Sequence, residues 1–449
     1  MPGRQSRRSV LAAVAALPLT GALNACSSGG AERSSSTSKT STRKSTTTIT
    51  FWSALRGSQE VVDEFNKTHD SIQVLYQQIP SGDQGGYAKL SNAARAGNAP
   101  DVATIEYPQV PTFAIDGVAR DITDLVSDGL RAKLLPQALG LTTFEKRTFS
   151  VPLDVEPMVM HYRSDLFESY GLQVPRTWDE FEETAKTVRS KGGDRRLALF
   201  PTDGASSMAA FAWQAGGQWF DTSAGAWNVS MADAPSRKAA AYWQRLFDQD
   251  LVFMNPLNTR QGDAQIANDK IMVRLTGAWE AGAVMRSQPA QSGKWKIAPL
   301  PQWDTAHPAL GTQGGSTFAV TKDCRHPEAA MEFIEWQVAS ADSLRARLTS
   351  GASSQYPAAH GLVAAGRKAF DRKYYSGQDI YTLFEQEAPK IRDGWVWGPR
   401  MSATNSVLQD RFARVSAGQG TLTEALSAAQ QGTMPDLKAL GLSVTEHTA

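Results

Sequence analysis

Cysteine is nearly absent, with two in 449 residues, Cys26 and Cys324. That is too few for a disulfide-stapled mini-fold or a thiolate zinc site. Charge of neither sign is in excess: 46 Lys and Arg face 45 Asp and Glu, a net +1. This argues against nucleic acid, whose phosphates call for a basic surface. Apolar runs of the roughly 18–20 residues that cross a bilayer are missing. The six histidines (His69, His161, His307, His326, His360, His447) are scattered, with no pair at metal-ligand spacing. No metal and no cofactor is therefore expected. Gly-x-Ser-x-Gly, His-Glu-x-x-His and the phosphate loop Gly-x-x-x-x-Gly-Lys-Ser/Thr do not occur. Tryptophan, by contrast, is abundant: 12 of them, in a chain long enough for two or three domains at about 150 residues each.

The first residues read as an address. Arg4, Arg7 and Arg8 precede a short apolar stretch, Val10 to Leu23, interrupted by Pro18 and too short to span a membrane. It ends in Leu23-Asn24-Ala25-Cys26, which resembles a bacterial lipobox. The resemblance implies a signal peptide over 1–25, lipidation of Cys26, and anchorage to the outer face of the cytoplasmic membrane. Ser6-Arg7-Arg8-Ser9-Val10-Leu11 is similar to a twin-arginine signal, with Val10 where Phe is usual, so both export routes stay open. From Ser27 to Thr48, 14 of 22 residues are Ser or Thr. Such a segment has too little apolar surface to offset its ordering entropy, and 26–47 is expected to be a solvated tether. Loss of 1–25 removes three arginines and no acid, leaving a charge of −2. Cys324 would then be the one free thiol, read as inert and partly buried.

Thr47 to Trp52 is β-branched and aromatic and predicts a first strand. Ser58 is positioned to cap a helix with Val61, Val62 and Phe65 on one face. Ile72–Tyr76 predicts a second strand, Tyr87–Ala96 a helix, and Asp101–Ile105 a third strand. This β-α-β-α-β order predicts a parallel sheet covered by helices, with ligands beyond its carboxyl ends at Trp52–Arg56 and Glu106–Tyr107. Further strands are expected at Pro157–Tyr162, Ile271–Leu275 and Trp295–Ala298. Thr177-Trp178-Asp179-Glu180 has capping-box spacing. Pro327 suits the first turn of a helix through Gln337, and the last 50 residues read as helical.

Several pieces in order then carry a resemblance: Phe51-Trp52, Ala99-Pro100-Asp101-Val102, and Val151-Pro152 through Tyr162-Arg163-Ser164-Asp165-Leu166-Phe167. Pro175–Glu180, Gly277-Ala278-Trp279, Gly314–Val320 and Pro327–Phe333 follow. Their order over residues 48 to about 430 resembles the solute-binding proteins of ABC importers, in the sugar-binding family that includes maltose-binding protein. The resemblance implies an α/β fold of two lobes, each a mostly parallel sheet flanked by helices, with a ligand cleft between them. Lobe one would hold 48–152 and 312–358, and lobe two 153–311 and 359–445. It also implies a monomeric receptor that hands a carbohydrate, an oligosaccharide, to an ABC permease, with no catalysis.

A buried sugar needs partners for its hydroxyls and flat rings for its C–H faces. Asp154 and Glu156 lie two apart, so in an extended chain they face one way, and the resemblance puts Glu156 where the family carries a ligand carboxylate. It likewise puts a stacking aromatic at Trp279 and an aromatic contact near Trp395 and Trp397, with Arg400 beside them. Trp52, Arg56, Glu106 and Tyr107 follow from the strand ends, and Gln313 and Gly315 from a second crossing between lobes. Trp178, Trp219, Trp243 and Trp336 read as packing. A non-sugar solute (glycerol phosphate, a polyamine, an iron chelate) stays open as an alternative, as does a glycoside hydrolase. For the latter, two acids on one strand are poorly placed to flank a scissile bond.

Overall fold

The computed structural model describes residues 46–222, 225–257, 259–349 and 354–446. The signal peptide, Cys26 and all but the end of the tether lie outside the described residues. None of the described helices is long and apolar enough to cross a membrane.

In chain order, β1 (Thr47–Ser53), α1 (Ser58–Thr68), β2 (Ile72–Gln78), α2 (Gly86–Arg95) and β3 (Val102–Glu106) come first. They are followed by β4 (Val151–Pro152), β5 (Val159–Arg163), α3 (Trp178–Ser190), β6 (Ala198–Pro201), α4 (Ala205–Ala215) and α5 (Ala234–Asp248). The chain continues through β7 (Val252–Asn255), β8 (Val273–Thr276), α6 (Glu280–Ser287), β9 (Trp295–Pro299) and β10 (Ser316–Val320). The helices α7 (Pro327–Ala339), α8 (Ala341–Thr349), α9 (Met401–Ser416) and α10 (Leu422–Ala439) complete the set used below.

One five-stranded sheet has the order β2-β1-β3-β10-β4. β1 runs parallel to both β2 and β3, as the alternation predicts. Ile49, Phe51 and Ser53 bury one face of β1, and Val61, Val62 and Phe65 of α1 cover it from the helix side. The second group is built round β5, flanked by β8 and β9, with β6 paired to β7 beside it. Here the expectation of mostly parallel strands meets a difference. β10 is antiparallel to β3, and both β8 and β9 are antiparallel to β5; β6 and β7 are parallel. The cause is the connectivity: β5 leaves the passage between the two groups outward, while β8 returns toward it.

Two local readings also shift. The residue capping α1 is Gly57 (φ 74°), with no side-chain cap, and Ser58 instead donates to Ser53 Oγ at 3.1 Å. At α3, Thr177 Oγ1 accepts the Glu180 N–H at 3.0 Å, but the Glu180 carboxylate accepts from Arg176 N–H rather than closing the box. A closed box stands at α10, between Thr421 and Glu424.

Three passages join the groups: 153–158, 310–316 and 354–359. They lie side by side. Leu153 N–H donates to Ser316 O at 2.9 Å, Val155 N–H to Tyr356 O at 3.0 Å, and Gln313 N–H to Glu156 O at 3.1 Å. Asp154 pairs with Pro357 and Pro157 with Thr312 in antiparallel bridges. Leu153, Val155, Met158, Leu310 and Ala358 from these passages are all buried in one continuous core cluster. Trp178, Trp219 and Trp243 are buried and Trp336 is half-buried against Phe65, as their reading predicts.

Candidate functional site

Residues 153–158, hydrogen-bonded to both other passages and so the middle one, are extended, and successive side chains point to opposite sides. Leu153 and Val155 enter the core; Asp154 and Glu156 face a cavity of about 440 Å³. Leu55, Arg56 and Glu106 line it from the carboxyl ends of β1 and β3, and Trp279, Ser206 and Trp397 from the other group of elements.

Glu156 is 1% exposed and Asp154 6% exposed. Each is held by backbone donors: Trp279 N–H to Glu156 Oε2 at 2.7 Å, at the start of α6, and Ser316 N–H to Asp154 Oδ1 at 2.6 Å. Thr312 Oγ1 accepts the Glu156 N–H at 3.1 Å and donates to the Glu156 carbonyl at 2.7 Å. Burial pushes the Asp154 carboxyl up to about 7, against the Ser316 N–H and the Arg347 charge, which pull it down. Glu156 is raised well above the usual carboxylate range by burial and by the charge of Asp154, and only partly restored by the Trp279 N–H. Burial and the nearness of a second acid both favour the protonated form of the pair. The pair can then donate as well as accept, which suits hydroxyls, since each hydroxyl is both donor and acceptor.

Arg347, in α8, is 1% exposed. Burial draws its guanidinium down to about 10, and Asp154 works against that. It stays charged at neutral pH and balances the acids from beneath the cavity. Its Nη2 donates to Gln337 Oε1 at 3.2 Å and its Nη1 to the Arg56 carbonyl at 3.3 Å.

Of the residues singled out from sequence, Arg56, Glu106, Asp154, Glu156, Trp279, Gln313, Gly315 and Trp397 line the cavity. Trp279 Nε1 donates to the Gln313 carbonyl at 3.0 Å, which fixes the ring. The Gln313 amide is occupied by residues of the group around β5: it donates to Ser207 Oγ at 2.8 Å and accepts from Thr276 at 2.5 Å. Gly315 (φ 99°) is needed because a Cβ would stand 2.5 Å from the Tyr107 ring.

Four others are placed elsewhere. Trp52, facing away from Phe51 on β1, sits in a satellite core with Lys89 Nζ 4.5 Å from its ring centroid. Tyr107 is fully buried below the cavity floor, its hydroxyl donating to the Asp154 carbonyl at 2.6 Å. Trp395 stacks on Trp213 at 4.9 Å and is turned 76° from Trp397, so the two rings form no shared platform. Arg400 pairs with Asp116 at 2.9 Å, and its N–H donates to Thr112 Oγ1 at 3.1 Å.

Sequence reasoning missed Ser206, Arg347 and Gln355, which also line the cavity. Ser206 lies just past the carboxyl end of β6, a strand that the sequence reading did not identify. Gln355 lies on the third passage. Nothing in the sequence marks Arg347, and only the packing of α8 against α1 and α7 buries it. Cys324 is buried, which pushes its thiol up to about 12. Among the described residues no group of three or more His, Cys, Asp or Glu could hold a metal ion.

A model for bacterial extracellular solute-binding proteins matches residues 53–342. The chain is similar to the lactose-binding protein of Rhizobium radiobacter, 29% identical over 201 residues, 44% of this chain and 46% of that protein. It is also similar to the arabinooligosaccharide-binding protein of Halalkalibacterium halodurans, 24% identical over 249 residues, 53% of this chain and 54% of that protein. The chain thus spans about half the length of these two relatives. Among solved structures, the galacto-N-biose-/lacto-N-biose I-binding protein of the ABC transporter from Bifidobacterium longum superposes with a TM-score of 0.79 at 27% identity. That match covers 89% of this chain and 99% of that one.

Proposed function

The chain belongs to the bacterial extracellular solute-binding protein family, and from that premise we propose that it is a receptor that binds an oligosaccharide between two lobes and delivers it to an ABC import permease. The observation that carries this reading is the buried Asp154–Glu156 pair on the middle passage, facing Trp279 and Trp397 across one cavity. Acids and indoles are what a neutral polyol needs, hydroxyl partners below and flat faces beside. We take lobe one as 48–152 and 312–358 and lobe two as 153–311 and 359–445; the five-stranded sheet drawn from β1–β4 and β10 supports the division.

Closure is a population shift: a sugar touching both lobes stabilises the closed state by its differential affinity for it. Lipidation at Cys26 and the Ser/Thr-rich tether would hold a monomeric receptor on the outer face of the cytoplasmic membrane, near its permease and at high effective concentration. Catalysis is not part of the proposal. Asp154 and Glu156 stand on one strand and one side of the cavity, not on opposite sides of a bond.

A thermal-shift and calorimetric screen of neutral mono- and oligosaccharides tests the reading. A sugar at 100 times its Kd adds about 2.7 kcal/mol of stability. If no carbohydrate shifts the melting point while glycerol phosphate, a polyamine or an iron chelate does, the sugar assignment is wrong.

A further inference from the structure

The cavity is not uniform along its length. On the side of β6 and β8 it continues into a recess of about 130 Å³ of mixed lining, where Asp203, Ser206 and Thr276 stand among Leu199, Ile271, Val273 and Leu275. On the side of β2 and α2 it opens past Leu55 and Glu106 into a second recess of about 100 Å³. The inner wall of this one is apolar: Ile79, Pro80, Gly82, Gly86, Tyr87 and Leu90. The Thr104 hydroxyl there donates to Ser53 Oγ at 2.8 Å, and the Ser81 hydroxyl to Gln84 Oε1 at 3.0 Å. Gly82 lies so close to Tyr87 that a Cβ would sit 2.8 Å from its ring. A side chain at that position would drive the ring into the recess.

A sugar hydroxyl pushed into the apolar recess would leave water and find few partners. A methyl group would leave water with a gain of roughly fourfold in affinity for each methylene-sized group buried. Resting on the receptor reading above, we infer that the ligand is a sugar carrying a small methyl-bearing substituent, an acetamido group or a 6-deoxy carbon, on the ring nearest β2, and that this recess is its subsite.

The test is titration calorimetry with neutral di- and trisaccharides offered in matched forms: the parent, its N-acetylated counterpart and its 6-deoxy counterpart. At least one methyl-bearing form binds fourfold or more tightly than its parent, and the two arms tell the acetamido from the deoxy source. In Gly82→Val that advantage disappears, so that the substituted and parent forms bind alike. Tyr87→Ala enlarges the recess by a different route and extends the preference to a bulkier N-acyl group. Should sugars bind with the parents equal to or better than their substituted forms, the subsite is refuted and the receptor reading stands. Failure of every sugar in every form overturns both.

Discussion

At the scale of single residues, the account turns on two acids made unusual by position alone. In the unfolded chain an aspartate titrates near ~3.9; in the fold Asp154 is raised to about 7. Between those values the folded state holds a proton that the unfolded chain has released. The stability contributed by this one group is thus full below about pH 4 and falls as pH rises toward about 7, where the loss levels off. Asp154→Asn keeps an acceptor for the Ser316 N–H and removes the titration. The melting temperature of the wild type relative to this variant should drop between pH 5 and pH 8, and an unchanged difference would contradict the burial argument. Trp279 belongs to the same scale. Trp279→Ala should weaken sugar binding by at least about 30-fold, on the order of 2 kcal/mol for a central aromatic contact, read by calorimetry. The shared facing of Asp154 and Glu156 was legible in the sequence because an extended passage sends residues two apart to one side, whereas the choice of Glu156 and Trp279 came from the family resemblance. Trp395 and Trp397 were not separable, since their rings stand 76° apart through packing on Trp213, a residue some 180 positions away.

At the scale of elements, the three passages form the part that a reading of periodicity finds hardest. The parallel core of β1, β2 and β3 follows from local alternation of strands and helices. The antiparallel β8, β9 and β10 follow from where the chain crosses between lobes, which no local pattern encodes. Thr312 is an instance: its hydroxyl spans the N–H and the carbonyl of Glu156, yet nothing in its neighbourhood in sequence marks it. Thr312→Val keeps the shape and removes both bonds. It should cost about 1–3 kcal/mol, the penalty for stranding buried backbone groups, measured by urea denaturation. Sugar affinity should fall with it, because the Glu156 carboxylate loses its fixed backbone.

Considered as a whole molecule, the structure also ties its two sheet groups together away from the passages. Arg400, with φ 67°, pairs with Asp116 just beyond the helix Val110–Ile115. This is the role the structure gives the arginine that sequence alone placed among the ligand contacts. Both side chains are partly exposed, so the pair is worth up to about 1 kcal/mol and is screened by salt. Asp116→Ala should weaken sugar binding by about twofold to fivefold at low ionic strength, with the difference shrinking as salt is added. A salt-independent loss would mean that Asp116 acts through something other than this pair.

The central claim is that one sugar meets the acids of the middle passage and the indole of Trp279 at once. A crystal structure of the protein with an oligosaccharide that passes the binding screen measures this most directly. The account predicts hydroxyls within hydrogen-bond distance of Asp154 and Glu156 and a sugar face lying on Trp279. A sugar bound elsewhere, with the cavity above Glu156 untouched, would contradict it.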